Sequence, residues 1–132
     1  MHWKAHILTE FDPFETALDR FVKLEKSDFI GKEALLERVR RGPARRLVTL
    51  AVDTSDAPAH GGSSVRAQGR VNGTVTSGDW GHRTGLNLAY AFVDPSFSDS
   101  ETPVTFDIIG QPTPARVIQG GPYDPDHIRM RA

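Results

Sequence analysis

Glycine and proline are unevenly distributed along this chain, and that limits its possible folds more than any other feature. Ten of the twelve glycines and seven of the nine prolines lie after residue 44. Both residues interrupt helices and serve tight turns. The first third, rich in long charged and aliphatic side chains, therefore reads as helical. The remainder reads as short strands joined by turns. Within the first part, Asp12-Pro13-Phe14-Glu15 has the form of a helix start. Asp is placed as N-cap, Pro follows at the first helical position, and Glu comes three residues after the cap. Phe14, Leu18, Phe21 and Val22 recur at helical spacing and predict a turn or two of amphipathic helix. A second helix is predicted from about Lys32 to Arg41. Leu35 and Val39 share one face with Leu36 beside them, and Gly42-Pro43 ends it.

Strand-like segments follow at regular intervals. Leu47 to Val52, Gly73 to Thr76 with the residues before it, Leu88 to Val93 and Val104 to Ile109 are β-rich. Ala115 to Ile118 follows what reads as a Pro-rich turn. Gly61-Gly62, Asn72-Gly73, Gly110-Gln111-Pro112 and Gly120-Gly121 are predicted to punctuate the gaps. Five or six short strands at this spacing suggest a small antiparallel barrel or sandwich. The expected fold class is α+β, mainly β: a helical lead-in over residues 1–44, then a compact β-barrel over residues 45–132.

Composition narrows the function classes. At 132 residues there is room for one domain with an appendage and not for two large enzyme domains. Sixteen Lys+Arg against seventeen Asp+Glu give a formal net charge of −1, which excludes a generally basic nucleic-acid binder and an acidic disordered tail. The absence of cysteine removes disulfides, thiolate zinc sites and a cysteine nucleophile together. No apolar run reaches the ~18 residues of a membrane span. The N-terminus lacks the apolar core of a signal peptide, so the sequence reads as soluble and cytoplasmic.

Few constellations carry chemistry. His2, His6, His60, His82 and His127 are scattered, and no carboxylate completes a metal set around His2 and His6, so no metal site is expected. No nucleophile elbow, dinucleotide fingerprint or phosphate loop is present, and no catalytic residue is assigned. Arg38, Arg40, Arg41, Arg45 and Arg46 crowd nine positions. They read as a solvated helix C-terminus, as a phosphate or nucleic-acid contact, or as the source of one bidentate fork for a ligand. Glu15 has two readings. It completes a capping box, or its carboxylate accepts the paired N–H groups of a heterocycle such as an aminopyrimidinone ring.

The order of segments adds a resemblance. Asp12-Pro13-Phe14-Glu15-Thr16-Ala17-Leu18, Val22-Lys23-Leu24 and Asp28-Phe29-Ile30-Gly31-Lys32-Glu33-Ala34-Leu35 resemble successive motifs of the glycine cleavage system T-protein family. So do Arg45-Arg46-Leu47-Val48, the Gly73 to Gly78 turn and the Leu86 to Val93 strand. The His2-Trp3 start, Phe21-Val22-Lys23-Leu24 and Pro122-Tyr123-Asp124-Pro125 are most similar to the C-terminal region of dimethylglycine and sarcosine dehydrogenases. Thr16-Ala17-Leu18 departs from the family's Ala-Gly-Leu, removing a glycine suited to positive φ.

The resemblance implies that residues 1–44 are the last piece of a split folate-binding domain and that residues 45–132 are an aminomethyltransferase-type barrel. It implies tetrahydrofolate as cofactor, with Glu15 on the pterin, Arg45 contacting the folate and Arg129 as the ligand contact of the last segment. A methylamine-type donor would be the co-substrate, and FAD would belong to an upstream unit or partner. The family's catalytic aspartate lies in a portion this chain lacks. The chain is therefore expected to supply binding and enclosure to a one-carbon transferase rather than its acid or base. Two rival readings remain: a non-catalytic barrel that docks on another subunit, and an RNA-contacting relative resting on the arginine cluster.

Overall fold

The computed structural model describes residues 4–54, 56–126 and 128–131. Six strands make up most of it: β1 (Arg46–Val52), β2 (Ser64–Ala67), β3 (Arg70–Gly81), β4 (Leu86–Val93), β5 (Pro103–Ile108) and β6 (Gln111–Ile118). They close into an antiparallel barrel in the order β1-β4-β3-β2-β5-β6, with β6 returning to β1. Closure leaves the barrel no unpaired edge strand. The mainly β expectation holds, and the barrel is chosen over the sandwich.

Alternation along the strands fills the barrel. Val48, Leu50 and Val52 of β1 point inward with Ala89, Ala91 and Val93 of β4, Val104, Phe106 and Ile108 of β5, and Ala115 and Val117 of β6. Small residues on β4, Ala89 and Ala91, share the interior with large ones on β5, Phe106 and Ile108, and such a mixture lets a narrow barrel pack fully. Burying side chains such as Leu50 and Phe106 completely contributes about 1.5–3 kcal/mol each. At Gly73 of β3 a side chain has no room, since a Cβ would lie 2.3 Å from the Phe92 carbonyl oxygen of β4.

Three sequence expectations change. Asn72-Gly73 and the Gly73 to Gly78 motif are not turns; they lie inside β3, which bulges between Val75 and Ser77. The Pro-rich stretch before Ala115 is strand as well. The Pro114 carbonyl accepts from the Asp53 amide on the β1 side, so its ring nitrogen also faces away from β5 and the β5–β6 ladder loses no donor. The short β2 has only two inward residues, Val65 and Ala67, too brief an alternation to read as a strand from sequence.

The lead-in is less helical than its pattern suggests. Helix α1 forms at Lys32–Arg41 and ends at Gly42, as the sequence predicts. The stretch after Asp12 does not propagate a helix. It is a turn followed by one 3-10 turn at Asp19–Phe21, because Ala17 takes a left-handed φ of 57° and the Leu18 amide reaches back to Pro13. A short α2 (Ile128–Arg131) is the last element among the described residues. The stretch from Lys4 to Glu15 lies over the outer face of β1, β4 and β3. Phe11 stacks on Phe92 at 4.5 Å, His6 meets Tyr90 edge-on at 5.0 Å, and a ring nitrogen of His6 is 2.9 Å from the Ser77 hydroxyl. This cover explains why β1 is buried on both faces, with Leu47, Thr49 and Ala51 outward yet shielded.

Candidate functional site

The Asp12–Glu15 turn builds the first cluster. Asp12 Oδ1 accepts from the amides of Phe14 and Glu15, both at 2.9 Å, and Glu15 Oε2 accepts from the Asp12 amide at 3.2 Å. That reciprocal pair is the capping box, present although no helix follows it. The Glu15 carbonyl also accepts from the Leu47 amide at 2.7 Å, which ties the turn to the start of β1. Arg45, one residue before β1, is thereby brought to Glu15: its Nε lies 3.5 Å from Glu15 Oε1.

Burial differs sharply across this ion pair. The Glu15 side chain is 7% exposed and that of Arg45 49%. A pair with one half in solvent contributes no more than about 1 kcal/mol. Its larger effect is to orient the guanidinium, which also lies over the Phe11 ring at 5.2 Å. Arg45 then lines a surface cleft of about 670 Å³ together with Phe11, Arg70, Phe92, Asp94 and Phe97. Asp94 keeps its carboxyl below the usual range because the Ser96 hydroxyl and then the Ser96 amide donate to it. Aromatic rings beside two guanidinium groups suit a planar ligand carrying acceptor atoms. Glu15 opens on the other side to a narrow cleft of about 170 Å³ shared with Phe14, Arg46 and Asp99.

Arg129 stands in a different cluster. Its Nη1 donates to the Tyr123 hydroxyl at 3.0 Å and its guanidinium covers the Tyr123 ring at 5.3 Å. Tyr123 borders a second cleft of about 640 Å³ with Arg20, Tyr90 and Asp124. Glu15 and Arg45 are thus brought together by the fold, whereas Arg129 is engaged elsewhere. Arg83 shares Tyr123 with Arg129. Nothing in the sequence singled out Arg83, because forty positions separate the two partners and the Gly81-His82-Arg83 stretch reads as a loop.

Four of the five arginines of the run pair with carboxylates of the chain, two of them sharing Glu37. Arg38 lies 3.8 Å from Asp12, Arg40 and Arg41 pair with Glu37 at 2.8 and 2.7 Å, and Arg45 pairs with Glu15. These partners favour the solvated helix-end reading over nucleic-acid contact. Among the described residues no three His, Asp or Glu side chains converge as metal ligands; His2 and His127 lie outside them, as does Trp3. No helix among the described residues is long and apolar enough to cross a membrane.

Comparison with known proteins bears on this geometry. The profile of the glycine cleavage T-protein C-terminal barrel domain matches residues 45–124. The mitochondrial dimethylglycine dehydrogenase of Mus musculus is 37% identical over 118 residues, 89% of this chain and 14% of that protein. An aminomethyltransferase of Saccharopolyspora erythraea is 37% identical over 110 residues, 83% of this chain and 30% of its own length. Among solved structures, the glycine cleavage system aminomethyltransferase T from Bartonella henselae superposes with a TM-score of 0.83 at 26% identity. That match covers 92% of this chain and 34% of the other. The chain therefore spans between 14% and 34% of the length of each of these relatives.

Proposed function

The chain belongs to the family of the glycine cleavage T-protein C-terminal barrel domain, and on that premise we propose that it is the C-terminal portion of a tetrahydrofolate-dependent one-carbon transferase. The parent protein in this reading is of the dimethylglycine or sarcosine dehydrogenase kind. One observation carries it furthest. Similarity to the dimethylglycine dehydrogenase takes in 89% of the chain, more than residues 45–132 alone can supply, so the lead-in that carries Glu15 is shared too.

Residues 1–44 then act as the last piece of a folate-binding domain and residues 45–132 as its barrel neighbour, joined where Glu15 meets Arg45. Glu15 would accept from the pterin's amino and ring N–H donors through its remaining lone pairs, at the edge of the narrow cleft it lines. Arg45 would give its free N–H groups to an acceptor on the folate lying in the larger cleft. Arg129 would meet the ligand from the last segment. These residues bind and orient reduced folate so that a methylamine-derived carbon reaches its nitrogens. Proton handling falls to groups outside this chain, and FAD, which would oxidise the amine donor, to an upstream unit or partner.

Calorimetric titration of the chain with 5-formyltetrahydrofolate tests the reading, with Glu15→Gln alongside. Saturable binding weakened by about 1.5–3 kcal/mol in the variant, the usual contribution of a charged hydrogen bond, supports the site. Binding indifferent to Glu15 overturns the residue assignment. A folded chain that binds nothing moves the folate site off these residues. A second reading, a barrel that docks on another subunit, is favoured by α1, none of whose residues is buried, and by the exposed Phe21, Ile30 and Val39.

A further inference from the structure

Arg83, in the connection between β3 and β4, and Arg129, in α2 beyond the last strand, converge on one phenol. The Tyr123 hydroxyl accepts from Arg83 Nη1 at 2.8 Å and from Arg129 Nη1 at 3.0 Å, and each guanidinium lies 5.3 Å from the ring centroid. Two consequences follow from elementary chemistry. A phenol oxygen has two acceptor lone pairs, and both are taken, so its own hydrogen is directed outward as a donor. Two permanent positive charges are also held close together, which costs free energy unless an anion accompanies them. Among the described residues neither guanidinium has a carboxylate within ion-pairing distance. Asp124, next to Tyr123 in sequence, has its carboxylate engaged by the amides of Ile128 and Arg129. This contrasts with Arg38, Arg40, Arg41 and Arg45, each of which has a carboxylate partner.

We propose that Arg83, Tyr123 and Arg129 form an oxyanion-binding site for a carboxylate or phosphate group at the rim of the second cleft. The two guanidinium groups supply charge and further N–H donors, and the phenol supplies an O–H donor between them. Exposure of all three residues makes the site reachable from solvent. Tyr123 gives it rigidity, because each arginine is held both by its hydroxyl and by its ring face. The site shares Arg129 with the folate reading but does not depend on it, since any small oxyanion satisfies the same donors.

The test is an NMR titration of the full 132-residue chain at low ionic strength, first with inorganic phosphate and separately with glutarate. The guanidinium Nε–H signals of Arg83 and Arg129 are followed. Saturable shifts at both signals are expected. Arg83→Gln and Arg129→Gln should each weaken binding by about tenfold or more, and Tyr123→Phe should weaken it while leaving the fold, read by circular dichroism, unchanged. Arg66→Gln, an exposed arginine on β2, should change nothing. Tighter binding of glutarate marks a carboxylate ligand; tighter binding of phosphate marks a phosphate ligand. Shifts that do not saturate, or binding that survives all three substitutions, overturns the proposal. Neither probe contains a pterin, so failure here leaves the folate titration to be judged by itself.

Discussion

Ala17 shows how one residue decides the course of the lead-in. The capping box before it is fully formed, and the apolar spacing after it suits a helix. Ala17 nevertheless adopts φ 57°, a conformation that costs an L-residue with a Cβ about 1–2 kcal/mol. The turn it makes lets Glu15 point inward to Arg45 while its carbonyl meets Leu47. Ala17 is exposed, so its methyl group loses little if removed. Ala17→Gly is therefore expected to stabilise the chain. The gain should be a few tenths to about 1 kcal/mol, after the larger entropy of glycine in the unfolded state is deducted. Urea unfolding checks this through a higher midpoint at unchanged slope. A lower midpoint would mean that the left-handed turn is not kept in solution.

At the scale of elements, the hairpins set the barrel's register. Gln68-Gly69 joins β2 to β3 and Ile109-Gly110 joins β5 to β6, and all four residues have positive φ, between 51° and 78°. These are two-residue turns of the kind whose twist matches paired strands. Ile109 is a poor occupant: a β-branched residue at φ 51°, and 78% exposed. Asn-Gly is the preferred pair for such a turn, so Ile109→Asn should stabilise the hairpin by about 1 kcal/mol. The bond from the Gly110 amide to Asp107 Oδ1 is left in place. Thermal unfolding measures the outcome, and a fall in midpoint would show that the isoleucine side chain makes a contact worth more than the strain.

The whole molecule divides into two tiers of stability. The barrel has a continuous buried core and a closed ladder of hydrogen bonds. Helix α1 has ten residues and buries none of them, and a helix of that length is marginal in water without tertiary packing. Amide hydrogen exchange on the isolated chain should find the barrel strands protected and Lys32–Arg41 close to unprotected. If the chain is the C-terminal portion proposed above, adding the upstream portion should protect α1 and so identify its face as a contact surface. Protection in the isolated chain at low concentration would mean the helix is held by the chain itself, and would remove the main support for the docking reading.

Much of this architecture was legible from local chemistry. Glycine and proline placement separates lead-in from barrel, Gly42 ends α1, and β-branched runs mark β1, β4 and β5, because each of these signals acts within a few residues. Four elements of the picture were not legible there. The reach of β3 past the β-rich Gly73 to Thr76 stretch, through Ser77 and Gly78 to Gly81, exists only because β4 pairs along it. Pro112 and Pro114 join β6 only because their ring nitrogens face away from β5. Glu15 and Arg45 were named from the sequence, but that one is buried beneath the other depends on the turn at Ala17. The convergence of Arg83 and Arg129 on Tyr123 had no local signal at all. Backbone preference and hydrophobic period are properties of neighbouring residues and survive in the sequence. Which distant side chains meet, and which charges are left without a counter-charge, is decided by strand pairing and barrel closure.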